Sequence, residues 1–209
     1  MIDIELYGGK RGIIEHVWAR ALYALGAYGN VSDIEWPNVK RLVFVCKGNI
    51  CRSPYASFRA RSLGVSAVSY GLGAAEGAPA DPIAQKNALL RGVDLSAHRS
   101  EGMDSTRLAD GDWVMVFEPA QLAEVRRRFD DRTPAALLGI WSSPSRPHIQ
   151  DPYGRSDRYF QQCFSVIDDN ILKLVERMVK SGAPAARNKS SGSQRAGTLD
   201  GNPCDGAIG

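Results

Sequence analysis

Two hydrophobic periods alternate along this chain. Short apolar runs at 41–46, 66–70, 113–117 and 136–140 read as strands, and the stretches 54–63, 81–91, 119–129 and 156–180 read as helices. Strand and helix take turns from Arg41 onward, which predicts an α/β fold: a central four-stranded parallel sheet with helices on both faces. Two regions stand outside that alternation. Ile13, Ile14, Val17, Trp18, Ala21, Leu22 and Leu25 recur at helical spacing between Gly12 and Gly29. They predict an amphipathic helix in an N-terminal extension, residues 1–38, packing on the body of the protein or on a second copy. Residues 181–209 mix Gly, Ser, Ala and Pro with few apolar side chains, predicting a disordered tail that includes Cys204.

The first strand runs into the densest chemistry in the chain. Leu42-Val43-Phe44-Val45 is followed by Cys46-Lys47-Gly48-Asn49-Ile50-Cys51-Arg52-Ser53-Pro54. A strand, a glycine-containing loop and a helix start in that order form an anion-binding site, with Ser53 as the expected N-cap and Pro54 at the first helical position. Five residues between Cys46 and Arg52 can curl so that their amides converge on one tetrahedral oxyanion. Arg52 adds a planar fork for two further oxygens. A thiol among inward-pointing amides, a helix N-terminus and an arginine is drawn toward the thiolate, so Cys46 is a candidate nucleophile. An isolated Cys and Arg six apart would read as ordinary core and loop residues; the placement of Gly48, Asn49, Ser53 and Pro54 makes the difference.

Attack on a phosphate ester with a phenolic leaving group needs a proton donor, because a group whose conjugate acid has a pKa of about 10 leaves slowly unprotonated. Gln150-Asp151-Pro152-Tyr153-Gly154 offers a carboxylic acid on a proline-fixed turn, beside an aromatic able to stack on a substrate ring. Asp81-Pro82 has the same dipeptide but reads as a helix-starting turn.

Composition narrows the class. The 209 residues suit one α/β domain with appendages, and 44% hydrophobic content permits a substantial core. Net charge is +3, from 26 basic and 23 acidic residues interspersed rather than gathered in a stripe, which argues against a nucleic-acid partner. Cysteines 46, 51, 163 and 204 lack metal-ligand clustering and no secretory signal is apparent, so the expected compartment is a reducing cytoplasm. No apolar run approaches the roughly 20 residues of a membrane span. Lys10, Arg11 and Arg20 leave membrane-surface contact by the N-terminal helix as a reading that packing outranks.

Val-Cys-Lys-Gly-Asn-Ile-Cys-Arg-Ser-Pro at 45–54 together with Asp-Pro-Tyr at 151–153 resembles the low-molecular-weight protein tyrosine phosphatases, over roughly residues 39–180. The resemblance implies a flavodoxin-like three-layer fold, a cysteinyl-phosphate intermediate and no metal or other cofactor. It implies Cys46 as nucleophile, Arg52 as the group that binds phosphate and stabilises the transition state, and Asp151 as the acid that then activates water. Lys47, Gly48, Asn49, Ile50, Cys51 and Ser53 would line the phosphate loop, and Tyr153 one wall of the pocket. Ser69 and His98 match the positions that brace the loop asparagine and serine in the family. Partners implied are phosphotyrosine proteins, including an autophosphorylated bacterial tyrosine kinase. The family uses the Cys46–Cys51 pair for reversible inactivation, against which stands a reading of Cys51 as a small buried filler.

Four positions depart from the family pattern. Lys47 is charged where many members are apolar, Gly73 to Gly77 carries no aromatic for the pocket mouth, Glu118 follows Phe117 where members commonly read Met-Asp, and Gly154 replaces a second aromatic. Alternative readings are thiol-dependent arsenate reduction on the same scaffold and a non-catalytic phosphopeptide-binding module. The first lacks shuttle cysteines in 84–112, and the second is disfavoured by Cys46, Arg52 and Asp151 occurring together. A phosphoarginine specialist would usually carry threonine where this chain has Ile50.

Overall fold

The computed structural model describes residues 7–28, 34–129 and 133–186. Strand β1 (Arg41–Cys46) lies between β2 (Ala67–Gly71) and β3 (Asp112–Val116), and β4 (Ala135–Leu137) completes the order β2-β1-β3-β4 with every pairing parallel. The near-continuous apolar run of β1 follows from that central place, because Leu42 to Cys46 are buried on both faces.

Five α-helices accompany the sheet: α1 (Lys10–Ala24), α2 (Arg52–Ser62), α3 (Pro82–Leu89), α4 (Pro119–Phe129) and α5 (Asp157–Lys180). Alternation along each strand sorts them into two layers. Leu42 and Phe44 pack with Tyr55, Ala84, Ala88, Phe160, Phe164 and Ile167 of α2, α3 and α5, whereas Val43, Val45, Val114 and Val116 pack with Leu122 and Val125 of α4. Tyr55 stacks on Phe164 at 3.8 Å and donates its hydroxyl to Asp168 at 2.7 Å, fixing α2, and with it the loop between β1 and α2, to the longest helix.

Several boundaries differ from the sequence reading for local reasons. Asp81 does cap a helix, accepting from Ile83 N and Ala84 N at 2.9 and 3.0 Å. The run expected as a strand over 136–140 stops at Leu137, and a 3-10 turn at Leu138–Ile140 follows, with Arg146 N donating to Gly139 O. At the C-terminal side, Ala183 and Ala185 are buried, and Ala185 is bonded through its backbone to Val39 and Ser66. The docked chain therefore reaches past 181, the expected start of the tail; residues 187–209, Cys204 among them, lie outside the described residues. At the N-terminal side Trp36 is inserted between Trp113 and Trp141, so the core begins before residue 39.

In α1 the stripe expected to pack on the body or on a second copy is only partly covered by the body: Ile14, Val17, Trp18 and Leu25 are exposed, Ile13 and Leu22 are half-buried, and Gly12 and Ala19 are buried. Gly12 lets the helix approach the side chain of Gln150, the residue before Asp151, where a larger side chain would clash. Among the described residues no helix is long and apolar enough to cross a membrane.

Candidate active site

The loop from Cys46 to Arg52 sits at the carboxyl end of β1, where open α/β sheets place their ligands. Leu72 N and Gly73 N donate to the carbonyls of Cys46 and Lys47, both at 2.9 Å, tying the loop to the chain that leaves β2. A side chain at Gly71 would press on Lys47 O and Asn49 N at 2.9 and 3.0 Å, so a glycine there permits that approach.

Asn49 is the hinge of the cup. It is fully buried with φ 53°, a left-handed conformation that asparagine tolerates better than most residues. Its Nδ2 donates to Ser53 Oγ at 2.9 Å, its Oδ1 accepts from Glu101 N at 2.9 Å, and its carbonyl lies 2.7 Å from His98 Nε2. A carbonyl can only accept, so His98 carries its proton on Nε2. Burial holds His98 below the ordinary histidine value, with the bond to Asn49 opposing that shift.

Ser53 Oγ lies 3.0 Å from Cys46 Sγ and 3.3 Å from the Tyr70 carbonyl. The hydroxyl thus serves the thiol and the loop, not the helix start: α2 begins at Arg52, and Cys51 occupies the N-cap without a side-chain bond. That overturns the expectation of Ser53 as cap and Pro54 as first helical residue, and Pro54 still loses nothing there because the first four helix amides have no intrahelical partner. Ser69 was expected in the brace. Among the described residues it bonds to none of Asn49, Ser53 and His98; the Tyr70 carbonyl and the Glu101 amide take those places. Side chains on β2 alternate between faces, so a backbone group from the next residue reaches where Ser69 does not.

Arg52 is wholly buried. Nη1 donates to the Ile149 carbonyl at 2.8 Å and to Glu118, while Nη2 stands 2.7 Å from Asp151 Oδ2, out of line for a hydrogen bond. Nε and Nη2 therefore have no hydrogen-bond acceptor among the described residues. Glu118 was met in the sequence only as a departure, yet it is the carboxylate that pairs with the arginine. Hydrogen bonds and charge from His148 and Arg52 hold it at about 2 against its desolvation, so it is ionised. The signal for it was position, since it follows directly on the carboxyl end of a central strand.

A cleft of about 290 Å3 brings Cys46, Lys47, Gly48, Ile50, Cys51, Gly73, Asp151 and Tyr153 together. Asp151, 39% exposed by side chain, fixes its turn by accepting from Tyr153 N at 3.2 Å. Tyr153 is exposed at the mouth. Cys46 and Cys51 are both buried free thiols, and burial pushes the Cys51 thiol up. Among the described residues no three His, Cys, Asp or Glu side chains converge as metal ligands.

Comparison with known proteins agrees with this geometry. Residues 41–183 match the family model described as low molecular weight phosphotyrosine protein phosphatase. The probable low molecular weight protein-tyrosine-phosphatase EpsP of Ralstonia nicotianae is 33% identical over 143 residues, 67% of this chain and 97% of that protein. The crystal structure of the tyrosine phosphatase AmsI of Erwinia amylovora superposes with TM-score 0.62 at 29% identity, covering 66% of this chain and 93% of the other. The YwlE arginine phosphatase of Geobacillus stearothermophilus superposes with TM-score 0.63 at 26% identity, covering 68% and 94%. The matched region carries the whole sheet and both sides of the cleft, and the chain belongs to the low molecular weight protein tyrosine phosphatase family.

Proposed function

We propose that this protein hydrolyses phosphotyrosine in proteins through a cysteinyl-phosphate intermediate. The observation that carries the reading is Arg52: a guanidinium held without exposure, with Nε and Nη2 lacking an aligned hydrogen-bond acceptor among the described residues, at the end of the loop that begins with Cys46. Native proteins rarely leave buried donors unpaired, and two of them beside a cup of amides suit the oxygens of a phosphoryl group. Asp151 and Cys46 line the same cleft.

In the first step the Cys46 sulfur attacks phosphorus, the S–P bond forms and the bond to the phenolic oxygen breaks. The leaving oxygen takes its electron pair and the proton of Asp151. In the second, water gives a proton to the Asp151 carboxylate and attacks phosphorus, the S–P bond breaks, and the sulfur regains its pair as inorganic phosphate departs. Arg52 and the loop amides stabilise the charge on the equatorial oxygens in both steps.

The substrate class is phosphotyrosine proteins, with an autophosphorylated bacterial tyrosine kinase as the first partner to test, in a reducing cytoplasm that keeps Cys46 a thiol. Ile50 in the pocket wall favours an aryl ring over the guanidinium of phosphoarginine. Lys47 at the rim favours acidic flanking sequence. Cys51 is the resolving thiol: peroxide converts Cys46 to a sulfenic acid, Cys51 attacks that sulfur, and water leaves as the disulfide forms.

Rapid acid quench with a labelled aryl phosphate tests the mechanism. A phosphoenzyme should appear in the parent and be absent from Cys46→Ala, whereas turnover retained by that variant ends the covalent route. Competition between phosphotyrosine and phosphoarginine peptides tests the substrate.

A further inference from the structure

The N-terminal segment, outside the matched region 41–183, touches the catalytic apparatus. A Cβ at Gly12 of α1 would stand 1.7 Å from the Tyr7 carbonyl and 2.6 Å from Gln150 Oε1, and one at Gly8 would stand 2.0 Å from that same oxygen. Two glycines therefore form a notch for the side chain of Gln150, the residue directly before Asp151. Tyr159 of α5 donates its hydroxyl to Gln150 Oε1 at 3.1 Å from the other side. The Tyr7 ring lies against the Arg146 guanidinium at 5.6 Å and the His16 ring at 5.4 Å, so a second residue of the acid-bearing loop is gripped as well.

A chain of polar contacts runs parallel to this notch. Glu15 Oε2 of α1 stands 4.0 Å from His148 Nδ1, His148 Nε2 stands 3.7 Å from Glu118 Oε2, and Glu118 pairs with Arg52. One helix thus reaches the approach to Asp151 through Gln150 and the arginine through His148 and Glu118.

We propose that α1 is a strut for the catalytic acid, with Gln150 as the positioning residue that transmits its docking to Asp151. At Gly12 only a residue without bulk fits against Gln150, while His16 on the same side of α1 faces Arg146 and His148, and Ile14, Val17 and Trp18 turn out. Asp151 must stand within hydrogen-bond reach of the leaving oxygen, and small displacements of a general acid cost rate chiefly where protonation matters. The inference rests on the acid role proposed for Asp151.

The test uses full-length Gly12→Leu, which forces α1 from the notch, and Gln150→Ala, which leaves α1 unaltered. Each is assayed on phenyl phosphate and on dinitrophenyl phosphate, whose phenol is far more acidic. For both variants, kcat/KM, which reports the attack of Cys46 and loss of the phenol but not the later hydrolysis of the phosphoenzyme, should fall about tenfold on phenyl phosphate and change less than about twofold on dinitrophenyl phosphate. A merely structural defect would depress both substrates alike, and equal losses, or none, overturn the strut. If Gly12→Leu does not fold by circular dichroism, Gln150→Ala decides alone. Asp151→Ala runs in parallel. If it discriminates between the substrates and the other variants do not, the strut fails while the acid assignment stands; if Asp151→Ala itself does not discriminate, both fail.

Discussion

Glu118 pairs with Nη1 of the buried Arg52 guanidinium, while Asp151 stands 2.7 Å from Nη2 of the same group. Two carboxylates therefore share one cation, but only Asp151 lines the cleft. Glu118 compensates the arginine's burial and leaves the other carboxylate on the cleft that Cys46 also lines.

Removing that compensation should show in stability. Glu118→Ala leaves a buried cation with fewer partners and should cost about 2–3 kcal/mol in urea unfolding, with Glu118→Gln intermediate. The pH dependence has a definite sign. Glu118 is held at about 2 against an ordinary 4.5, so the pair's contribution is complete above 4.5 and is lost as pH falls toward 2. The parent should lose more stability than Glu118→Gln across that window; parallel curves would remove Glu118 from the account.

Asn49 separates backbone strain from hydrogen bonding. Asn49→Gly keeps φ 53° comfortable but loses the bonds to Ser53 and Glu101, whereas Asn49→Ala loses the same bonds and adds left-handed strain. Alanine should be the worse by roughly 1 kcal/mol in equilibrium unfolding, and both should weaken phosphate inhibition.

His16 on the inner side of α1 should make the chain acid-sensitive. Burial, then the charges of Arg146 and Arg20 and nearby His148, lower it from 6.5 to about 4. Between those values the unfolded chain binds the proton and the folded chain does not, so stability falls as pH drops from 6.5 to 4. Urea midpoints at pH 7 and 4.5 should lie closer together in His16→Gln than in the parent.

Two tryptophans of the N-terminal region should behave oppositely. Trp18 is 67% exposed, and Trp18→Ala should change unfolding free energy by less than about 0.5 kcal/mol. Trp36 is 7% exposed and ringed by Trp113 and Trp141, so Trp36→Ala should cost about 3–5 kcal/mol.

Much of the fold was legible because its signals are local. Strand and helix periods recur over a few residues, and the β1 run coincides with the strand observed at Arg41–Cys46. The cup was legible for the same reason, since Cys46 to Arg52 is one contiguous stretch. Asp151 needed the Asp-Pro-Tyr motif, because a lone acid carries no pattern. Ser69 misled since a family position specifies a place in the chain, not which backbone group or side chain there makes the bond.

The α1 stripe shows where periodicity ends. It predicted that a helix exists, and Lys10–Ala24 is helical, but an amphipathic pattern cannot say which face meets the body when the closest approach is made at a glycine, Gly12 against Gln150. The sequence by itself determined the alternating α/β order and the thiol–arginine loop, both written in near neighbours, and it offered Asp151 as a candidate acid through the Asp-Pro-Tyr motif. Tertiary structure alone decided that Glu118 pairs with Arg52, 66 residues away, that Tyr70 and Glu101 brace Ser53 and Asn49, and that Gln150 fits a notch formed by Gly8 and Gly12. Such contacts are set by chain crossings between distant residues, and no local period records them.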